Sequence, residues 1–162
     1  MKKNISQLIV VLSLFATGAY AQQQPSGGPM KIAQVSLLVK DYDEALQFYT
    51  NKLSFTKTAD SQFGNQRWLS IAPPGQKEMA LVLVKAVTQS DVDIIGKQAG
   101  SRTLLVLETD QFDRLYKQYY EKGVTFTSKP TAAGWGRQVQ FTDLYGNHLV
   151  LLEVKPNVST TH

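Results

Sequence analysis

The chain has 162 residues, with 17 Lys and Arg, 13 Asp and Glu, two His and no Cys. The absence of cysteine excludes disulfides, a thiol nucleophile and thiolate metal ligands, and two histidines cannot build a catalytic zinc site of three imidazoles. The basic residues are scattered rather than clustered, which argues against a nucleic-acid-binding surface.

The first 21 residues have the features of a secretory signal peptide. Lys2 and Lys3 form a basic start, an apolar run extends from Leu8 to Phe15, and Ala19-Tyr20-Ala21 is a cleavage pattern. A membrane anchor is the weaker alternative, because the apolar run is too short to span a bilayer comfortably. We expect a mature chain that begins at Gln22, carries a net charge of about +2 and is exported to the periplasm or outside the cell.

Two polar segments flank a single domain. Residues 22–29, QQQPSGGP, are predicted to be a flexible linker, and residues 155–162 a polar tail. The domain between them, residues 30–154, is long enough to bury its own core.

Within this domain one order of elements occurs twice. Residues 30–86 contain a predicted strand, helix and three strands: IAQVSLLV, YDEALQFYTNKL, SFTKTAD, RWLSIA and MALVLVKA. Residues 101–154 contain the same series: RTLLVLE, FDRLYKQYYEK, VTFTSKP, RQVQFT and HLVLLEV. A short helix is expected around residues 91–97. The spacing of apolar residues therefore predicts an α+β fold of two βαβββ modules.

The ends of the two helices carry matching signals. Asp41 and Asp110 each precede a helix, and Asp41 with Glu44 has the spacing of a capping box. Gly123 can take the left-handed conformation that ends a helix, whereas Ser54 in the equivalent place would cost on the order of 1 kcal/mol in that geometry.

Two further pairings concern the later strands of each module. Arg67 and Arg137 open equivalent strands, and we expect them to pair with surface carboxylates rather than to bind an anionic substrate. The segment from Asp143 to Asn147 is predicted to be a simple turn between the last two strands.

Strand alternation predicts a concave face opposite the helices, where a small molecule could bind. Leu69, Leu104 and Val106 are among the residues expected to pack toward the helices. Six residues on the concave face would supply hydrogen bonds: Gln34, Ser36, Thr103, Gln138, Gln140 and His148. Six others would complete the pocket: Trp68, Ser70, Val82, Leu105, Val150 and Trp135. Trp135 lies between glycines, and a lid over a ligand and a hydrophobic plug are equally good interpretations of it.

Four segments together resemble the vicinal oxygen chelate superfamily, which includes glyoxalase I, bleomycin-resistance proteins and extradiol dioxygenases. They are VSLLVKDYDEALQFYTNKLSF, RWLSIAPPG, LETDQFDRLYKQYYEKGVTF and GWGRQVQFTDLYGNHLVLLE. The resemblance implies modules that curl into an open, barrel-like mixed sheet around a pocket, and a homodimer. Enzymes of that family hold a divalent metal, and the matching positions here are Gln34, Ala80, Thr103 and Val150. Of these, only Gln34 is a plausible ligand.

The favoured hypothesis is an exported protein that binds a small neutral or weakly anionic molecule without a metal centre or other cofactor. An alternative is a metal-dependent lyase or dioxygenase with a divalent metal ion in a rearranged site of Gln34, Glu78 and His148. Glu78 and His148 each lie two residues before a matched position, a shift of roughly 6.6 Å along a strand, which weakens this alternative. A purely structural or partner-binding role is a third possibility.

Overall fold

The computed structural model describes residues 29–154. The predicted signal peptide, the linker up to residue 28 and the polar tail lie outside this part of the chain. Among residues 29–154, no helix combines the length and apolarity needed to cross a bilayer.

The first module is a four-stranded sheet with a helix against one side. Its elements are β1 (Gln34–Val39), α1 (Tyr42–Gln47), β2 (Thr56–Phe63), β3 (Gln66–Ala72) and β4 (Ala80–Lys85). The strand order is β1-β4-β3-β2, with β1 parallel to β4 and the other neighbours antiparallel. A π-helical turn, Phe48–Lys52, extends α1.

The second module repeats this plan after a short linker helix, α2 (Gln89–Ile94). Its elements are β5 (Thr103–Glu108), α3 (Phe112–Glu121), β6 (Thr125–Phe126), β7 (Thr131–Ala133), β8 (Gly136–Thr142) and β9 (His148–Val154). The strand order is β5-β9-β8-β6, and β7 also pairs with β8. The predicted α+β fold of two modules is confirmed, each module having its own mixed sheet. The strand predicted at VTFTSKP is divided into the short strands β6 and β7.

One hydrophobic core joins the two modules. Alternate residues of the strands supply most of it, including Leu37, Val39, Leu69, Ile71, Leu81, Leu83, Val139, Phe141, Leu149 and Leu151. The helices and the segment that follows α3 add Tyr49, Phe112, Tyr119 and Val124. The strand faces predicted from alternation are therefore correct for β3, β4, β8 and β9.

The prediction for β5 was wrong by one residue. A bulge between Thr103 and Leu105 shifts the pairing with β9, so that Leu105 lies opposite Leu149 and packs against the core. Val106 lies opposite Val150 and is 57% exposed. Because a bulge reverses the facing of all later residues in a strand, Val106 takes the place predicted for Leu105 on the concave face.

The helix ends differ in detail between the modules. Asp41 caps α1 by accepting from the backbone N–H groups of Asp43 and Glu44, but the reciprocal capping-box bond is absent. Instead, the backbone N–H of Asp41 donates to the Tyr145 hydroxyl. In α3 the N-cap position belongs to Gln111, one residue after Asp110.

The left-handed conformation predicted after each helix is confirmed. Ser54 has φ 62° and Gly123 has φ 69°. The π-helical turn inserts one extra residue between the N-cap and this position in the first module.

Candidate functional site

The two strand-opening arginines are fully engaged with carboxylates, as predicted. Arg67 bonds Asp60 at 2.9 Å and Asp43 at 2.8 Å, and its guanidinium lies 5.5 Å from the centre of the Tyr42 ring. The hydrogen bond from Arg67 is the largest cause that holds the pKa of Asp60 well below its usual value. These groups stabilise the surface of the first module and are not available to bind an anionic substrate.

The second module repeats this arrangement. Arg137 bonds Glu153 at 2.6 Å and Asp113 at 2.9 Å, and it lies 4.8 Å from the centre of the Phe112 ring. Its hydrogen bond lowers the pKa of Glu153. Glu153 is therefore a surface partner of an arginine.

The surface of the first sheet opposite α1, here called the first open face, carries two adjoining cavities. A cavity of about 340 Å³ is lined by residues that include Ser36 and Val82, and one of about 410 Å³ by residues that include Ser70 and Ala80. Gln34 and Trp68 line both. The first open face is defined by these six residues.

The polar groups of the first open face differ in their availability. Ser70 is 3% exposed, and its hydroxyl lies 2.7 Å from that of Thr58. Gln34 and Ser36 are exposed, and Trp68 is half-buried. The face can therefore offer an amide, a hydroxyl and an aromatic ring to a ligand. The sequence did not predict Thr58 and Tyr42 in the cavity walls. Thr58 lies on β2 and Tyr42 on α1, whereas the pocket was predicted from the alternation of the other strands.

The remaining predicted pocket residues lie on the second sheet. The surface opposite α3, here called the second open face, consists of Thr103, Val106, Gln138, Gln140, His148 and Val150. Trp135 lies at the tip of the β7–β8 hairpin and is 51% exposed. The two cavities of the first open face are lined only by residues of the first module. Within the described part of the chain, the pocket residues predicted on the second sheet therefore do not line the two cavities of the first open face.

The positions matched to a metal centre do not provide a ligand set. Gln34 lies opposite Ala80, which has no donor atom. Thr103 lies opposite His148 rather than Val150, so that His148 on β9 takes the pairing position that Ala80 takes on β4, and the two-residue displacement assumed for His148 was wrong.

The rearranged metal site is not assembled either. Glu78 is 75% exposed and bonds Lys31 at 2.6 Å, whereas His148 belongs to the other sheet. Within residues 29–154 no three His, Asp or Glu side chains are grouped to hold a metal ion. The residues present therefore do not fit the divalent metal that the resemblance implies.

The outer edge of β1 is covered by one side chain rather than by a strand. Gln98 accepts from the backbone N–H of Leu38 at 2.7 Å and donates to the carbonyl of Ser36 at 3.3 Å. Because β1 is an edge strand, these are the groups that a further strand would use.

A buried polar network joins the π-helical turn after α1 to the turn between β8 and β9. Asp143, 6% exposed, accepts from the Tyr49 hydroxyl at 2.7 Å and from the side-chain amide of Asn147 at 2.8 Å. It also accepts from the backbone N–H groups of Tyr145 and Asn147, both at 2.9 Å. Burial, followed by the nearby Asp143, raises the pKa of Tyr49 well above its ordinary value. The network is a structural link between the modules.

Comparison with known proteins gives one consistent result. Residues 31–151 match the family described as the Glyoxalase/Bleomycin resistance protein/Dioxygenase superfamily. An uncharacterised protein of Shewanella frigidimarina (strain NCIMB 400) is 40% identical over 125 residues, which are 76% of this chain and 93% of that protein.

Two solved structures are similar over most of the chain. TnmS3, an antibiotic binding protein from Streptomyces sp. CB03234, is 30% identical with a TM-score of 0.66, covering 80% of this chain and 99% of its own. UcmS2 is 28% identical with a TM-score of 0.69, covering 77% of this chain and 98% of its own.

Proposed function

The chain belongs to the Glyoxalase/Bleomycin resistance protein/Dioxygenase superfamily, and we propose that it binds a small neutral or weakly anionic molecule at the first open face, without a metal centre. The observation that carries this proposal is that Gln34 and Trp68 line both cavities of that face. An amide and an indole ring together recognise a polar, partly aromatic molecule. The antibiotic binding of TnmS3 supports a ligand of this kind.

The chemistry of the cavity walls supports the charge assigned to the ligand. Ser36 and Gln34 offer uncharged donors and acceptors, and exposed Lys77 on the wall of the larger cavity can balance a weak negative charge. The one carboxylate there, Glu78, is paired with Lys31. A cationic ligand would find no unpaired acid among the residues that line the two cavities.

A homodimer completes the proposed pocket. The strands β1 and β5 are both sheet edges, and Val106 is an exposed apolar residue on the second open face. A second copy that covers the first open face with its second open face would bury Val106 and add four polar groups to the pocket: Thr103, Gln138, Gln140 and His148. Light scattering after size exclusion tests this, and a monomeric mass at all concentrations would contradict it.

Export by residues 1–21 belongs to the same proposal and rests on the sequence pattern alone. Amino-terminal sequencing of the protein from the periplasm or medium of its native host should begin at Gln22. A full-length chain retained in the cytoplasm would refute it.

Ligand binding can be followed through Trp68 itself. The chain has two tryptophans, so a Trp135→Phe variant leaves Trp68 as the sole indole reporter. We expect a panel of natural products and aromatic metabolites to include a compound that changes its fluorescence saturably and raises Tm. Gln34→Ala should weaken that compound about fivefold or more, the net worth of one hydrogen bond.

The control is Lys117→Ala, which removes an exposed helix residue far along the chain from the first open face. Equal binding by Gln34→Ala and Lys117→Ala would place the ligand elsewhere.

Elemental analysis of the protein isolated from its native compartment tests the metal-free part of the proposal. Stoichiometric zinc, nickel, manganese or iron, lost in Gln34→Ala, would overturn it.

A further inference from the structure

The connections β3–β4 and β8–β9 each begin with a four-residue turn closed by one backbone hydrogen bond. In one, the backbone N–H of Gly146 donates to the carbonyl of Asp143, and in the other the N–H of Gln76 donates to the carbonyl of Pro73. The third residue of the turn is Tyr145 in the second module and Gly75 in the first. The two turns therefore differ in a phenol side chain and in the backbone of the third residue, since Gly75 has φ 83° whereas Tyr145 does not have a positive φ.

The Tyr145 side chain fills the boundary between its turn and the start of α1, here called the filled boundary. Its hydroxyl donates to the carbonyl of Asp41 at 3.3 Å and accepts from the N–H of Asp41 at 3.4 Å. It also lies 3.4 Å from the carboxylate of Glu44. The protein thus supplies its own phenol here.

The equivalent boundary between the turn Pro73–Gln76 and the start of α3, here called the open boundary, is a cavity of about 480 Å³. Gln111 and Arg114 line it and correspond to Asp41 and Glu44, since each pair holds the N-cap and the third residue of its helix. At Gly75 an added Cβ would meet no atom within 4 Å. The turn contributes Pro73 and Pro74 to the wall of the open boundary, and it supplies no phenol to the cavity.

The lining of the open boundary suits a ring with one hydroxyl group. Apolar side chains supply much of the wall: Leu53, Phe55, Leu107, Leu115, Tyr119 and Leu151. The carbonyl of Gln111 accepts from the N–H of Leu115 and has a second lone pair for a hydroxyl donor. Arg114 is exposed, belongs to no ion pair among the described residues, and can donate to the same hydroxyl.

We propose that the open boundary is a second binding site, for an uncharged small molecule that carries a phenol ring. The ring occupies the place that Tyr145 fills at the other boundary, and its hydroxyl donates to the Gln111 carbonyl and accepts from Arg114. The volume lies within the range of about 300 to 1,000 Å³ that is usual for small-molecule sites. Glu108 and Asp110 also line the cavity and disfavour an anionic ligand. This site is independent of the first open face.

The test uses 4-methylphenol, which is the tyrosine side chain as a free molecule, in a ¹H–¹⁵N NMR titration of the protein. We expect saturable shifts at the backbone amides of residues 107–115 and little change around Ser36 and Trp68. The methyl ether, 4-methylanisole, keeps the ring but cannot donate, and it should bind about fivefold more weakly. Shifts confined to the first open face, or equal binding of the two compounds, would overturn the proposal.

Two variants of one helix sharpen the test. Arg114→Trp places an indole over the cavity and should reduce binding of 4-methylphenol by tenfold or more. Lys117→Trp adds the same side chain to an exposed position of α3 that does not line the cavity, and it should bind like the parent. Unchanged affinity in Arg114→Trp, with the rest of its spectrum intact, would also refute the site.

Discussion

The turn Asp143–Gly146 and the turn Pro73–Gln76 have the same hydrogen bond but act differently where the modules meet. The first places a buried carboxylate against Tyr49 and a phenol against Asp41, whereas the second presents two prolines, Pro73 and Pro74, to a cavity. By contrast, the Arg67 and Arg137 clusters on the outer surface are nearly identical. The turn of the second module therefore supplies polar contacts to the first module, whereas the turn of the first module supplies only cavity wall.

Asp143→Ala is expected to have the largest effect on this comparison. The change removes the common acceptor of four hydrogen bonds in a buried setting and should lower the free energy of unfolding by about 3 kcal/mol or more. Urea denaturation of residues 22–162 measures it. Pro73→Ala is the matched change at the open boundary and should stay within about 1 kcal/mol of the parent. Similar losses in both variants would contradict the contrast between the boundaries.

The two core tyrosines provide a finer comparison. Tyr49→Phe removes a hydrogen bond to a carboxylate and should cost about 2 kcal/mol, whereas Tyr119→Phe removes a bond to the Leu53 carbonyl and should cost about 1 kcal/mol. Burial raises the pKa of Tyr119 to about 12, so its hydroxyl stays protonated at neutral pH. The same denaturation experiment ranks the two variants, and the reverse order would show that the network around Asp143 adds little.

The left-handed residues after the two helices test how each module ends its helix. Gly123→Ala should cost about 1 kcal/mol, because the new Cβ meets only Lys52 Nζ at 3.9 Å and the penalty is conformational. At Ser54 that penalty is already present, and its hydroxyl accepts from Gln118 at 2.6 Å.

Ser54→Gly should therefore raise the free energy of unfolding by about 1 kcal/mol only in a Gln118→Ala background. In that background the hydrogen bond from Gln118 to Ser54 is already absent, so its loss adds no cost. A loss of stability in that background would mean that Ser54 is held by contacts other than the bond to Gln118. Thermal unfolding of the parent, the two single variants and the double variant completes the double-mutant cycle.

The arginine clusters should give the smallest and most nearly equal effects. Both hold a carboxyl pKa below its ordinary value in the folded state, so their stabilisation is present above about pH 4 and is lost as pH falls through the folded pKa. Arg67→Gln and Arg137→Gln should each reduce the difference in stability between pH 7 and pH 3. Because the groups are exposed, the changes should be small. A large difference between the two variants in this pH dependence would show that the two arginine clusters are not energetically equivalent.

Much of the fold was predictable because local signals agree with the tertiary structure. Alternation fixed the faces of β3, β4, β8 and β9, and the resemblance of the two halves gave the module order. The facing of β5 was not predictable, since the bulge at Leu104 leaves no sign in a run of apolar residues. Its consequence reached the second open face, where Val106 replaced Leu105.

The contacts at the module boundaries could not be predicted from the sequence, for a different reason. Asp143 was consistent with a simple turn, and nothing local distinguishes that role from a buried link to Tyr49, which lies 94 positions away along the chain. The cavity at the open boundary likewise is lined by residues from both modules, from Leu53 to Leu151. Contacts of this kind come from the packing of whole modules, which spacing within one segment does not encode.

Gln98 also affects how the edge strand β1 can pair with other chains. Its amide presents a carbonyl and an N–H to Leu38 and Ser36 as a passing peptide would, so one donor and one acceptor of the β1 edge are already satisfied. This part of the edge is thereby protected from pairing with a strand of another chain. Since an arriving strand would replace one donor and one acceptor with an identical pair, this protection is removable at little enthalpic cost, and association at the edge can remain reversible.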